Sequence, residues 1–289
     1  MKHRAPALNS GLFTLLALLL VPTSASAQTP GLEAEDQDVA LHAQILKPFL
    51  KDVDESASSA LLLVSGRNYV GQTGLVIEVL MAHIDEPRIL VPAGLDPPTF
   101  YEAGGKETRF WNPYFGIELG GPGASWVRQM GFRIDAREQS ESGARSYLMG
   151  DLADPERPTA FSHITTFQAG AIRRPRRALN RDYRMRLTAT VPLDGHLSAW
   201  FLTYRGMLVL KRGAWGLEGG VVGSALVDRD SGLSFGERFS SQFEVILRTQ
   251  WGPVRPLLSA RVWLNQDERD LAPVVAGLGL EWLDRKQSR

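Results

Sequence analysis

The sequence predicts an all-β chain: a transmembrane antiparallel up-and-down β-barrel of about twelve strands (ten to fourteen), with a short N-terminal helix. Three observations carry this. Several runs of ten to fourteen residues alternate apolar and polar side chains, their apolar faces end in Trp or Tyr, and short turns alternate with longer polar connections. Strand length separates this class from a soluble sandwich. Soluble strands average about 5–6 residues, whereas about 9–11 tilted residues are needed to cross a bilayer.

The chain has 289 residues, of which residues 1–27 read as a secretory leader. Lys2, His3 and Arg4 form a charged start, residues 12–21 are continuously apolar, and Ala25-Ser26-Ala27 supplies small residues before cleavage at Gln28. The apolar run is about half the ~20 residues of a spanning helix. Residues 28–57 read as an N-terminal periplasmic segment. Glu33, Glu35, Asp36 and Asp38 precede Val39, Leu41, Ile45 and Leu46, an acidic first turn followed by a helical stripe that Pro48 ends.

Residues 58–283 read as the barrel and 284–289 as a polar tail. Strands are expected near 59–67, 73–83, 112–121, 125–136, 145–152, 160–172, 183–191, 197–211, 214–227, 238–251, 255–264 and 271–282. In 238–251, Phe239, Ser241, Phe243, Val245, Leu247, Thr249 and Trp251 share one face, against Ser240, Gln242, Glu244, Ile246, Arg248 and Gln250. In 183–191, Tyr183, Met185, Leu187, Ala189 and Val191 alternate with Arg184, Arg186, Thr188 and Thr190. Gly213-Ala214 and Gly252-Pro253 are tight connections, while 228–237 and 265–270 are longer and polar. The 28-residue gap 84–111 holds Arg88-Ile89-Leu90-Val91 and Arg109-Phe110-Trp111, room for further strands or a folded loop. As a helix, residues 214–227 are too short to span and contain Glu218.

Composition removes other classes. With 32 basic and 32 acidic side chains there is no basic excess, so nucleic acid is not an expected partner. The absence of cysteine excludes thiol catalysis, disulfides and thiolate metal sites. His42, His83, His163 and His196 show no ligand spacing, and Asp228-x-Asp230-x-Gly232 lacks the further acid of a calcium loop. No cofactor or metal site is expected.

The last strand carries the strongest motif. Trp282 is preceded at every second position by Leu280, Leu278, Ala276 and Val274. This resembles the C-terminal assembly signal of Gram-negative outer-membrane β-barrel proteins as a class. In that class the signal implies recognition by the barrel-assembly machinery, residence in the bacterial outer membrane, and contact with its lipid and lipopolysaccharide. Here Leu283 and a polar tail follow the aromatic, which normally closes the chain. The resemblance covers most of residues 59–283.

Candidate chemistry lies on the face opposite the apolar one, which in a membrane barrel is the lumen. Arg184, Arg186, Arg205, Lys211, Arg255 and Arg261 fall there with Glu218 and Glu244. Charged rings at such positions set selectivity, and six cations against two anions point to small anionic solutes. The same residues also suit a self-neutralising ion-pair network that plugs a narrow barrel. Arg173-Arg174-Pro175-Arg176-Arg177 is the one basic run, read as a phosphate-binding or merely solvated loop. His196 and Ser198 are similar to the His-x-Ser pair of outer-membrane phospholipases, but Gly195 and Ala199 flank them and no asparagine completes the set. The leading expectation is a channel or transporter for small-molecule solutes, with loop 228–237 at a constriction. The alternatives are a lipid-modifying hydrolase and a structural barrel with a plugged lumen.

Overall fold

Alternation with period two places successive side chains on opposite faces of a strand, so a chain that alternates over ten residues builds a sheet with one polar and one apolar face. A computed structural model describes residues 39–49, 57–95, 98–110, 112–134, 165–176, 179–193, 200–227, 239–266, 269 and 273–284. These form thirteen strands: β1 (Val39–Phe49), β2 (Ser58–Val70), β3 (Thr73–Leu95), β4 (Pro98–Phe110), β5 (Tyr114–Leu119), β6 (Trp126–Arg133), β7 (Thr166–Arg173), β8 (Arg181–Pro192), β9 (Trp200–Arg212), β10 (Trp215–Val227), β11 (Phe239–Thr249), β12 (Val254–Trp263) and β13 (Val274–Asp284).

All pairings are antiparallel, and each strand neighbours the next in sequence except β4 and β5, which both pair with β3. The sheet closes on itself, because β1 also pairs with β13, from Val39 opposite Asp284 to Phe49 opposite Val274. Closure removes the edges that β1 and β13 would otherwise present; among the described residues β4 pairs with β3 alone. The barrel has twelve strand positions, since β4 and β5 share one. The lower part of the long β3 pairs with β5, from Thr73–Leu119 to Glu78–Tyr114. Its upper part pairs with β4, from Met81–Phe110 to Leu95–Pro98. Between them Pro113, which has no amide hydrogen, interrupts the strand.

Two expectations change. The stretch expected as an N-terminal helix contains β1 instead. Val39, Leu41, Ala43 and Ile45 satisfy period two as well as Val39, Leu41, Ile45 and Leu46 satisfy a helix, and two flanking partners, β2 and β13, decide for the strand. Pro48 is tolerated because the β1–β2 ladder ends at Leu46–Ser59. The wall therefore begins at Val39 rather than at 58. The gap 84–111 holds the β3–β4 hairpin, which carries register shifts between Glu86 and Ile89 and between Pro92 and Gly94. The strand expected near 145–152 lies outside the described residues.

The barrel has two unlike ends. Both chain ends of the wall and the turns at 71–72, 120–125, 174–180, 213–214 and 250–253 share one. Gly71 (φ 63), Gly213 (φ 58) and Gly252 (φ 63) supply the left-handed backbone that tight turns need. The strand ends between which the longer connections run, Phe49 and Ser58, Arg133 and Thr166, Pro192 and Trp200, Val227 and Phe239, and Trp263 and Val274, share the other, long-loop end.

The faces are inverted relative to a soluble protein. Large aliphatic side chains point outward and remain exposed, Leu208 at 69% and Leu278 at 60% among them, while Glu118 (0%), Glu244 (1%) and Arg174 (1%) are buried inside. The exposed Trp and Tyr side chains gather near the short-turn end (Trp126, Trp215, Trp251, Trp282 and Tyr183), while exposed phenylalanines such as Phe49 and Phe132 lie toward the other.

Candidate functional site: a charged lumenal cavity

Parity alone sends one side chain in two into the lumen, and there each charge needs a partner, because an unpaired buried charge is costly. The partners come from adjacent strands and from strands two positions away. On β11, Glu244 accepts from Arg261 of β12 (Oε1 to Nε, 2.8 Å) and from Arg205 of β9 (Oε2 to Nη2, 3.2 Å). On β10, Glu218 bridges Arg184 of β8 (3.4 Å) and Arg248 of β11. Arg248 continues the row to Glu281 of β13 (3.3 Å), which stands 3.4 Å from the His42 ring of β1.

The opposite wall carries its own network. Glu118 of β5 takes Arg174 at 2.6 Å and Arg67 of β2 at 3.6 Å, and accepts the Tyr69 hydroxyl hydrogen. Arg133 of β6 donates to Glu78 of β3 (3.3 Å), to Gln168 of β7 (3.1 Å) and to the Asn112 carbonyl oxygen (3.1 Å). Gln168 in turn donates to Thr190 of β8 (3.0 Å).

The first network, with Arg67 and Glu78 of the second, lines a cavity of about 340 Å³. It runs from the short-turn end, lined by Lys211, Ala214 and Gln250, to Ser259 and Arg261 further along the wall. All eight charged residues read from the sequence line it: Arg184, Arg186, Arg205, Lys211, Glu218, Glu244, Arg255 and Arg261. Arg67, Arg248, Glu78, Glu281 and His42 line it too and were missed. Parity would have found Arg248, four residues beyond Glu244, and Glu281, next to Trp282. His42 was hidden by the helical reading of β1. Among the described residues, eight cationic and four carboxylate side chains line the cavity, a formal excess of four positive charges.

The basic run behaves differently from a solvated loop. Arg174 is drawn into the lumen by Glu118. Arg173 lies over the Tyr183 ring at 4.1 Å and donates to Asp182 at 2.8 Å, and Asp182 also accepts the Arg176 backbone amide hydrogen (2.7 Å). Arg176 is exposed at the short-turn end. Leu278, Leu280 and Trp282 all point outward from β13, and the strand runs on past Trp282 because Leu283 pairs with Ala40 in the closing seam. His196 and Ser198, and loop 228–237, lie outside the described residues.

No family model matches the chain, and no curated protein matches it. Solved structures do. CdiB from Acinetobacter baumannii aligns with a TM-score of 0.40 at 10% identity over 85% of this chain and 60% of its own, so the chain spans about 60% of that protein's length. A mutant porin of Rh. blastica aligns with a TM-score of 0.31 at 9% identity, over 84% of this chain and 98% of its own. A chain described under asymmetric conductivity of engineered proteins gives 0.32 at 10% identity, with the same coverage of 84% and 98%.

Proposed function

We propose that the chain is an outer-membrane β-barrel channel for small anionic solutes, exported through a leader cleaved near Ala27 and inserted by the barrel-assembly machinery. The observation that carries the solute class is the cavity lining, with eight cations against four carboxylates. A positive lumen with low-dielectric walls concentrates anions and repels cations. The ion pairs hold the arginine side chains extended from the wall, so the excess charge is presented in a fixed arrangement.

Membrane placement is supported by the outer face. Contiguous exposed aliphatic surface of this extent is disfavoured in water and expected against lipid. The cluster of Trp126, Trp215, Trp251, Trp282 and Tyr183 at the short-turn end suits an interfacial girdle. In this reading the short-turn end of the wall, with Val39, Asp284 and Arg176, faces the periplasm, and the long-loop end faces outward toward lipopolysaccharide. Toward the long-loop end, Leu46, Leu80, Ala82, Ile84, Trp263 and Val275 pack into an apolar cluster inside the wall, the place of a hydrophobic constriction.

The test is conductance of the refolded mature chain in a planar bilayer under a salt gradient. Discrete openings with a reversal potential of anion sign are expected, and Arg184→Ala with Arg186→Ala should move that potential toward zero. Cation preference, or no current from verified folded protein, would overturn the proposal.

A further inference from the structure

The lumen is divided across its diameter. In the ring of twelve positions, β2 and β3 lie four to six strands from β8 and β9, and so face them across the interior. From the upper parts of β2 and β3, Leu61, Leu63 and Leu80 line the cavity, with Ser65, Arg67 and Glu78 nearer the short turns; from β8 and β9, Arg184, Arg186 and Arg205 do, with Val209 and Lys211 nearer the short turns. The division continues toward the long-loop end. Leu61 and Leu80 belong to the apolar cluster that includes Ile84 and Trp263, whereas the lumenal positions of β8 and β9 there include Thr188, Thr190 and Thr203, all buried, with Phe201 opposite Thr190. One wall is thus aliphatic along its upper length, and the facing wall is mainly cationic and then mainly hydroxylic.

An inorganic anion would have no use for the aliphatic wall. A sugar would be held better by an aromatic platform, and the facing groups are leucines. A hydrocarbon chain with an acidic head satisfies both sides at once, because burying its methylenes against leucine is favourable and its head group meets the arginines. Size sets a bound. At about 30 Å³ for each water-sized group, the cavity of about 340 Å³ takes on the order of eleven such groups, enough for a chain of medium length.

Resting on the reading of this cavity as the solute path, we infer that its ligands are amphiphilic anions: medium-length alkyl chains bearing a carboxylate or a comparable acidic head. The head sits at Arg184, Arg186 and Arg205 and the chain lies along Leu61, Leu63 and Leu80.

The experiment is calorimetric binding to the full mature chain in lipid nanodiscs, with heats from empty nanodiscs subtracted. The probes are butanoate, hexanoate and octanoate, with octylammonium and inorganic phosphate as controls. Affinity should rise about fourfold per added methylene, the factor that corresponds to burying one such group. Octylammonium and phosphate should each bind at least tenfold more weakly than octanoate. Leu63→Asn should flatten the chain-length dependence, and Arg205→Gln should weaken all three carboxylates by a similar factor. Leu80→Asn repeats the first arm should Leu63→Asn not fold. A flat chain-length profile in the unmodified protein, or octylammonium binding as well as octanoate, overturns the inference. Binding is read without current, so the two readings separate. A silent bilayer with chain-length-dependent binding overturns only the channel, and anion-selective current with a flat profile overturns only the amphiphile.

Discussion

Glu244→Gln isolates the lumenal charge with little change of shape. Glu244 is 1% exposed and takes Arg261 at 2.8 Å and Arg205 at 3.2 Å. Two unit charges about 4 Å apart attract by about 4 kcal/mol at an effective dielectric constant near 20. Removing one partner of a buried pair costs about 3–5 kcal/mol, because the other charge is left uncompensated. The amide still accepts a hydrogen bond from Arg261, and the Arg205 side chain is 20% exposed to the cavity, so the low end, about 3 kcal/mol, is the expected loss. Urea unfolding of the barrel in lipid vesicles reads this directly. The double variant Glu244→Gln with Arg261→Met should recover part of the loss, since it also removes the buried charge that the single variant leaves uncompensated. A single variant within about 0.5 kcal/mol of the parent, with no coupling in the double, would refute the claim that ion pairs hold the lumenal wall.

Three further outcomes follow from local geometry. Asp182→Ala removes the acceptor shared by Arg173 and the Arg176 amide and should cost about 2–3 kcal/mol in the same unfolding measurement, with Asp182→Asn costing less. Gly74→Ala would place a Cβ 2.6 Å from the Tyr69 ring, an overpacking penalty of about 1–3 kcal/mol that a Tyr69→Ala background should relieve. Glu244→Gln also removes one of the four cavity carboxylates, so its reversal potential in the salt-gradient assay should move further toward the anion limit.

The wall was legible in the sequence wherever parity was unbroken. β8 to β13 alternate cleanly, and the eight charges chosen from them line one cavity. The N-terminal strand was not legible, because Val39, Leu41 and Ile45 fit both a helical stripe and an alternating strand. The choice between them rests on Leu278 and Leu280 of β13, more than 230 residues away in sequence. The β3–β4 hairpin was obscured by the breaks in register around Glu86 and Pro92. Parity also says which side chains turn inward but not which of them meet. Glu218 bridges Arg184 and Arg248 from strands on either side of its own neighbourhood, and that depends on the tilt of the closed sheet. The division into an aliphatic and a cationic wall depends on the closure order, which no single strand encodes.

The most direct test of a membrane-spanning barrel is the folding free energy of Leu278→Arg in lipid vesicles. Leu278 points outward at 60% exposure and pairs across the seam of β12 and β13 with Leu258, itself exposed. An arginine on the lipid face should cost about 2–4 kcal/mol near the bilayer midplane. A change within about 0.5 kcal/mol, as for an ordinary surface substitution in water, would contradict the membrane assignment and the channel built upon it.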